Sequence, residues 1–209
     1  MEDMNTINPS AMPANSQIRH NAYTQLKGHW LNPVLATLLY AVVVGVASNI
    51  PLLNLLVVLP LEFGFILTFL YFKRDSVNEE DIAASPFYTF KEYGRYLGGS
   101  LLVWVFTFLW TLLLIVPGII KAYSYILTPY IMHDNPNMPV RECIRLSQKM
   151  MDGYKWKLFC LHLSFIGWMI LAVLTLCIGF LWLTPYMQLA QTNFYEEIKA
   201  RYTESAATL

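Results

Sequence analysis

Charge is what this chain has least of. Lys, Arg, Asp and Glu make up 13% of its 209 residues, about half the share of an average soluble domain, which is too little to keep a large surface in water. Fourteen basic residues balance fourteen acidic ones. A net charge of zero removes the electrostatic footprint of a nucleic-acid binder, so no nucleic acid is expected among the partners. Cysteine is scarce as well: Cys143, Cys160 and Cys177 are odd in number and match no metal or redox spacing, which excludes a disulfide framework and reads as unpaired thiols in helices. The polar first thirty residues show no cleavable signal peptide. No nucleophile elbow, phosphate-cradling glycine loop or zinc-helix motif occurs. The expectation is of no catalytic residue, no cofactor and no metal.

What fills the chain is apolar, 56% hydrophobic and 15% aromatic. No Lys, Arg, Asp or Glu falls between Leu31 and Ser48, between Leu97 and Ile120, or between Leu158 and Phe194. A helix needs roughly 20 mostly apolar residues to cross a bilayer, and a soluble all-helical core would need amphipathic helices instead. The sequence therefore predicts an all-α, polytopic transmembrane bundle. First passes fall at about 30–48, 98–116 and 156–176, and return passes at about 52–72, 118–133 and 178–195. Short breaks at Ser48-Asn49-Ile50-Pro51, Pro117-Gly118 and Ile178-Gly179 join these six spans as three helical hairpins. Residues 49–59 read either as part of a span or as a re-entrant piece ended by Pro60.

Orientation follows from the basic residues, which stay on the cytoplasmic side of short loops. Thirteen of the fourteen lie before, between or after the hairpins, and only Lys121 does not. Both termini are expected in the cytoplasm. Each hairpin is preceded by an interfacial helix. Ile18, Ala22 and Leu26 form a narrow stripe; Ser76-Val77-Asn78-Glu79 fits a capping box, and Ser85-Pro86 can start a second short helix. From Pro139, the residues Val140, Cys143, Ile144, Met150 and Met151 keep helical spacing, while Arg141, Glu142, Arg145, Lys149 and Asp152 occupy the other face. Gly28, Gly94 and Gly153 close these helices. Pro60, Pro129 and Pro185 follow them after 32, 35 and 32 residues. This spacing suggests repeats at 15–74, 76–134 and 138–198 inside one membrane domain, 15–198, with a disordered leader, 1–14, and a cytoplasmic tail, 199–209.

The stretches PGIIKAYSYILTPYIMHDNP, LSQKMMDGYKWKLF, LSFIGW and LTPYMQLAQTNFYEEI resemble the bacterial integral membrane family catalogued as domain of unknown function 975. The likeness covers about Leu26 to Ile198. It implies a protein of the bacterial cytoplasmic membrane and carries no activity with it. The layout is more loosely similar to the membrane domain fused to some glycerophosphodiester phosphodiesterases, without their catalytic barrel.

Two charged residues fall within the proposed spans away from their cytoplasmic ends. Glu62 lies roughly 15 Å below the outer start of its helix and Lys121 roughly 5 Å below its own. An intramembrane charge is a functional suspect by default. With Tyr123, Tyr125, Thr128 and Tyr130 the pair could form a polar site; the alternative is a structural ion pair, or a snorkelling Lys121 beside a neutral Glu62. Pro60, Pro129 and Pro185 read as helix kinks, with Thr128 and Thr184 available to the freed carbonyls in the twice-written Leu-Thr-Pro-Tyr. Arg95, Arg141, Arg145, Lys149, Lys155 and Lys157 are candidate headgroup contacts. His162 reads as a hydrogen-bonded lone histidine, and Asp134 as a helix stop. Three functions stay open: a non-enzymatic scaffold or accessory protein binding membrane lipids, membrane-protein partners or further copies of itself; a small transporter or channel; and a lipid-modifying enzyme.

Overall fold

A computed structural model describes residues 12–50, 54–76 and 78–207, and every regular element among them is helical. Helix α1 (Asn15–Leu26) is followed by α2 (Leu31–Ala47). A π-helical turn, Asn54–Val58, leads into α3 (Leu59–Arg74), and a 3-10 segment, Glu79–Glu92, runs without interruption into α4 (Tyr93–Leu113). Next come α5 (Ile115–Tyr125), α6 (Thr128–Asp134), α7 (Val140–Met150), α8 (Lys155–Leu163) and α9 (Ile166–Leu174), and finally α10 (Phe180–Ala207), 28 residues long. Most of the expected leader, Pro51 of the first reversal, Val77 of the expected capping box and the last two residues lie outside the described residues. The expected tail from Lys199 to Ala207 continues α10.

Three segments are long and apolar enough to cross a membrane: Asn54–Arg74, Asp81–Leu113 and Lys155–Leu174. Helices α1 and α2 would together make a fourth, but they meet at 98°. That turn depends on Gly28, whose φ of +94° is the left-handed region a side chain disfavours. Gly153, at φ +79°, closes the segment after α7 in the same way. Gly94 does not match them. It lies in the first turn of α4 with the 3-10 segment directly before it, so the second unit has no terminator and its two expected short helices are one continuous segment. Asn78 begins that segment without a side-chain cap, and Ser85 turns to α3, with its hydroxyl 2.9 Å from that of Thr68 and 2.7 Å from the Ile82 carbonyl.

The three prolines differ in their surroundings. Pro129 occupies the first turn of α6, where a missing N–H leaves no bond unmade; Pro60 is also near the start of α3, but the π-helical turn runs directly into it, and the Leu56 carbonyl four residues before accepts instead from the Tyr93 hydroxyl at 2.9 Å. Pro185 sits deep inside α10. The first Leu-Thr-Pro-Tyr thus interrupts the backbone at Ile126–Leu127, whereas α10 runs straight through the second. Thr128 does not serve its neighbours' carbonyls: its buried hydroxyl has no partner among the described residues. The Ser124 carbonyl beside the break instead accepts a 2.8 Å hydrogen bond from Ser147 on α7. A second break separates α8 from α9, where the Ser164 carbonyl accepts from Arg19 at 3.1 Å.

Aromatic rings fill the interior. Tyr130 stacks on Tyr195 with centroids 4.6 Å apart, Tyr40 on Phe65 at 4.3 Å, and Phe165 meets Tyr186 edge-on at 5.1 Å. The buried stripe Ile18, Ala22 and Leu26 seats α1 against α10 and α8. Nearly all exposed large apolar side chains fall within 31–56, 101–120 and 163–182, so the surface divides into an apolar part and a charged part.

Among the described glycines the closest approach is between α3 and the 3-10 segment, where a Cβ on Gly64 would lie 1.9 Å from the Pro86 carbonyl oxygen. Backbone cannot retreat as a side chain can, so Gly64→Ala should lower stability by about 1 to 3 kcal/mol. Gly45, which faces open space, should tolerate alanine. Thermal unfolding of the two variants in the same detergent checks the difference.

Candidate functional site

Polar side chains gather in four places. The most tightly built is at the charged end of the bundle, where α3, α6 and α10 meet. Asp134, the last residue of α6, has a side chain only 8% exposed. Arg74 donates to both of its oxygens at 2.5 and 3.0 Å, Tyr195 donates at 2.5 Å and Lys199 at 2.7 Å. Arg74 also reaches Glu196 at 2.7 Å. Burial pushes the Asp134 pKa up, but the hydrogen bonds from Arg74, Lys199 and Tyr195 outweigh it and hold the carboxyl well below its usual range. Arg95 completes this end by donating to the carbonyls of Met132, Asn135 and Pro136, the unpaired acceptors at a helix C-terminus.

The second place is a cavity of about 340 Å³ beside Glu62, reached also by Tyr123, Tyr125, Pro129 and His162. The Tyr123 hydroxyl lies 3.1 Å from His162 Nδ1. A carboxylate, a phenol and an imidazole here share one apolar-walled space. Lys121 is not among them. Among the described residues it forms no ion pair with Glu62; its Nζ sits 4.9 Å from the centroid of Trp110, over the negative face of the ring. It belongs to a third space of about 520 Å³ with Arg141, Arg145 and Gln148. The expected Glu62–Lys121 grouping is thus divided between two cavities, and only Tyr125 borders both. Thr128 and Tyr130 lie in the core, with the Tyr130 hydroxyl 3.3 Å from Thr192.

Of the remaining basic candidates, Lys149 borders a space with Glu142 and Arg145, Lys155 lies 3.7 Å from Asp152, and Lys157 donates to the Met12 carbonyl at 2.8 Å.

The fourth place, a space of about 690 Å³, is lined by Arg19, His20, Tyr23, Trp168, Trp182 and Tyr186 among others. Arg19 is fixed from two sides, by the Ser164 carbonyl and by the Phe165 ring 5.9 Å away. Trp168 and Trp182 are about half exposed on the apolar surface.

The family model described as "Protein of unknown function (DUF975)" matches residues 50–202. The chain belongs to that family. No curated protein and no solved structure matches it. The family's match takes in the Asp134 cluster and both cavities flanking Tyr125, and it leaves out α1 with Arg19.

Reasoning from sequence missed the role of Arg74, Tyr195, Glu196 and Lys199, and placed Asp134 as a mere helix stop. The available signal was an acid at the end of an apolar run with basic residues at two other run ends. The Arg19 space gave no signal, because its walls come from helices more than 140 residues apart.

Asp134→Asn keeps the shape but removes the charge opposite Arg74 and Lys199, and should cost about 2 to 3 kcal/mol. Because the native carboxyl titrates below its ordinary 3.8, its stabilisation is complete above that pH and is lost as pH falls through the native value. Unfolding midpoints measured from pH 6 downward should drop for the wild type below about pH 4 and change less for the variant.

Proposed function

We infer that this is a non-enzymatic accessory protein of the bacterial cytoplasmic membrane that binds lipid. The chain enters the bilayer as three helical hairpins from the cytoplasmic side, with both termini in the cytoplasm. The observation that carries the lipid reading is the 690 Å³ space, which joins aromatic walls to Arg19 and His20 at the edge of the apolar surface. Its volume falls in the range of small-molecule sites. Its make-up suits an amphiphile, with rings for an acyl chain and a fixed cation for an acidic or phosphate group. The basic residues outside the apolar runs support the orientation.

Transport is the second reading, favoured by one observation: Glu62 is exposed and shares its cavity with the Tyr123–His162 pair. A carboxylate and an imidazole facing one intramembrane space are the groups a proton- or cation-coupled site uses.

Native mass spectrometry of protein extracted in mild detergent separates the two. Lipid binding at the Arg19 space predicts one retained phospholipid whose occupancy Trp168→Ala with Trp182→Ala lowers by about tenfold or more, while Glu62→Gln leaves it unchanged. Retention that ignores the tryptophans, together with a cellular phenotype abolished by Glu62→Gln, would instead favour transport. Reporter fusions at each terminus should both read out as cytoplasmic.

A further inference from the structure

The fourteenth basic residue supplies the strongest unexplained feature. Lys121, Arg141, Arg145 and Gln148 face one space together with Trp110 and Tyr125, and no carboxylate lines it. Among the described residues, none of the three cations makes an ion pair. Glu142, the closest acid in sequence, lines the neighbouring space with Arg145 and does not neutralise it. Three cations converging on one concavity repel one another unless an anion joins them.

The depth of this space makes the point sharper. Helices α4 and α5 reverse at Leu114, and counting from there the space extends from Trp110, about 6 Å away along the helix, to Tyr125, about 16 Å away. The reversal itself carries nothing polar: Leu112, Leu113, Leu114, Ile115 and Val116 are all exposed and apolar. Were this turn at the far surface of a 30 Å hydrocarbon layer, the cations would lie within hydrocarbon, each weighing roughly a hundredfold against insertion. With the turn near mid-bilayer, about 15 Å from the headgroups, Tyr125 comes to headgroup depth and Lys121, about 10 Å from the turn along its helix, comes within side-chain reach of it, while the Trp110 ring stays in the hydrocarbon below.

We propose that Lys121, Arg141, Arg145 and Gln148 form a binding site for the phosphate of an anionic phospholipid headgroup on the cytoplasmic side, and that the α4–α5 hairpin ends inside the bilayer. Arginine supplies forked donors for phosphate oxygens and Lys121 a point charge held by Trp110. This deepens the lipid-binding reading and rests on its membrane insertion, but uses a site separate from that of Arg19.

The test uses the full chain in nanodiscs of phosphatidylcholine doped with phosphatidylglycerol, with bound lipid counted by native mass spectrometry. The combined Lys121→Met, Arg141→Gln, Arg145→Gln variant should lose affinity for phosphatidylglycerol by about fivefold per cation removed. A charge-matched control, Lys149→Gln with Lys155→Gln and Lys157→Gln, should keep it. Equal losses in both, or none in the first, overturn the site. Displacement of phosphatidylglycerol by millimolar inorganic phosphate would make it a soluble-anion site and overturn the lipid assignment. The Trp168→Ala, Trp182→Ala variant reports separately on the broader reading, because it should retain this lipid. For depth, the free thiol of Leu114→Cys, with Cys160→Ser and Cys177→Ser, should be closed to impermeant maleimide from either face, and a fluorophore attached to it in detergent before reconstitution should be quenched by nitroxide deep in the acyl chains. Labelling from the outer face overturns the proposal.

Discussion

One carboxylate holds this protein's charged end together. Asp134 takes donors from Arg74 and Lys199, 60 and 65 residues away in the chain, and from Tyr195. A buried charge is tolerated only when partnered and hydrogen-bonded, so the ends of α3, α6 and α10 cannot slide past one another without exposing an unmatched ion. Arg95 adds a second restraint by holding the last carbonyls of the same short helix. α6, only seven residues long, could not be stable alone; its position is set by charges at one end and by the stacked Tyr130 and Tyr195 within.

The other organising constraint is the backbone itself. Wherever a helix stops inside an apolar environment, a carbonyl loses its partner and water cannot replace it. The breaks after Tyr125 and after Leu163 are each answered by a side chain from elsewhere in the chain: Ser147 bonds the Ser124 carbonyl and Arg19 the Ser164 carbonyl. This explains how one tetrapeptide has two backbones. Leu-Thr-Pro-Tyr at 127–130 can end a helix because α7 supplies a donor nearby, whereas at 183–186 the same letters lie within an unbroken α10. Proline permits a break and tertiary context decides it.

Apolar runs, the stripe of Ile18, Ala22 and Leu26, and the left-handed Gly28 and Gly153 could be read directly, since each is a local property of composition or of φ. Gly94 misled because it matches the other two by position alone. Glu62 and Lys121 were visible as isolated charges, but their companions were not. Which way a charge points depends on helix rotation and on where helices break, and neither is written in hydrophobic periodicity. The Asp134 cluster was illegible for a related reason, since its members are separated by whole helices.

The turn between α9 and α10 shows what such an apolar tip must provide. Leu176 and Cys177 take left-handed conformations without being glycine. The Thr175 hydroxyl donates to the Ala172 carbonyl at 2.8 Å while accepting from the Gly179 amide at 3.1 Å. The turn thus closes part of its own hydrogen-bond account in place of water, and it carries no formal charge. Driving such a tip into a bilayer moves no ion through the membrane's electric field, so its insertion is governed by partitioning and is indifferent to transmembrane voltage.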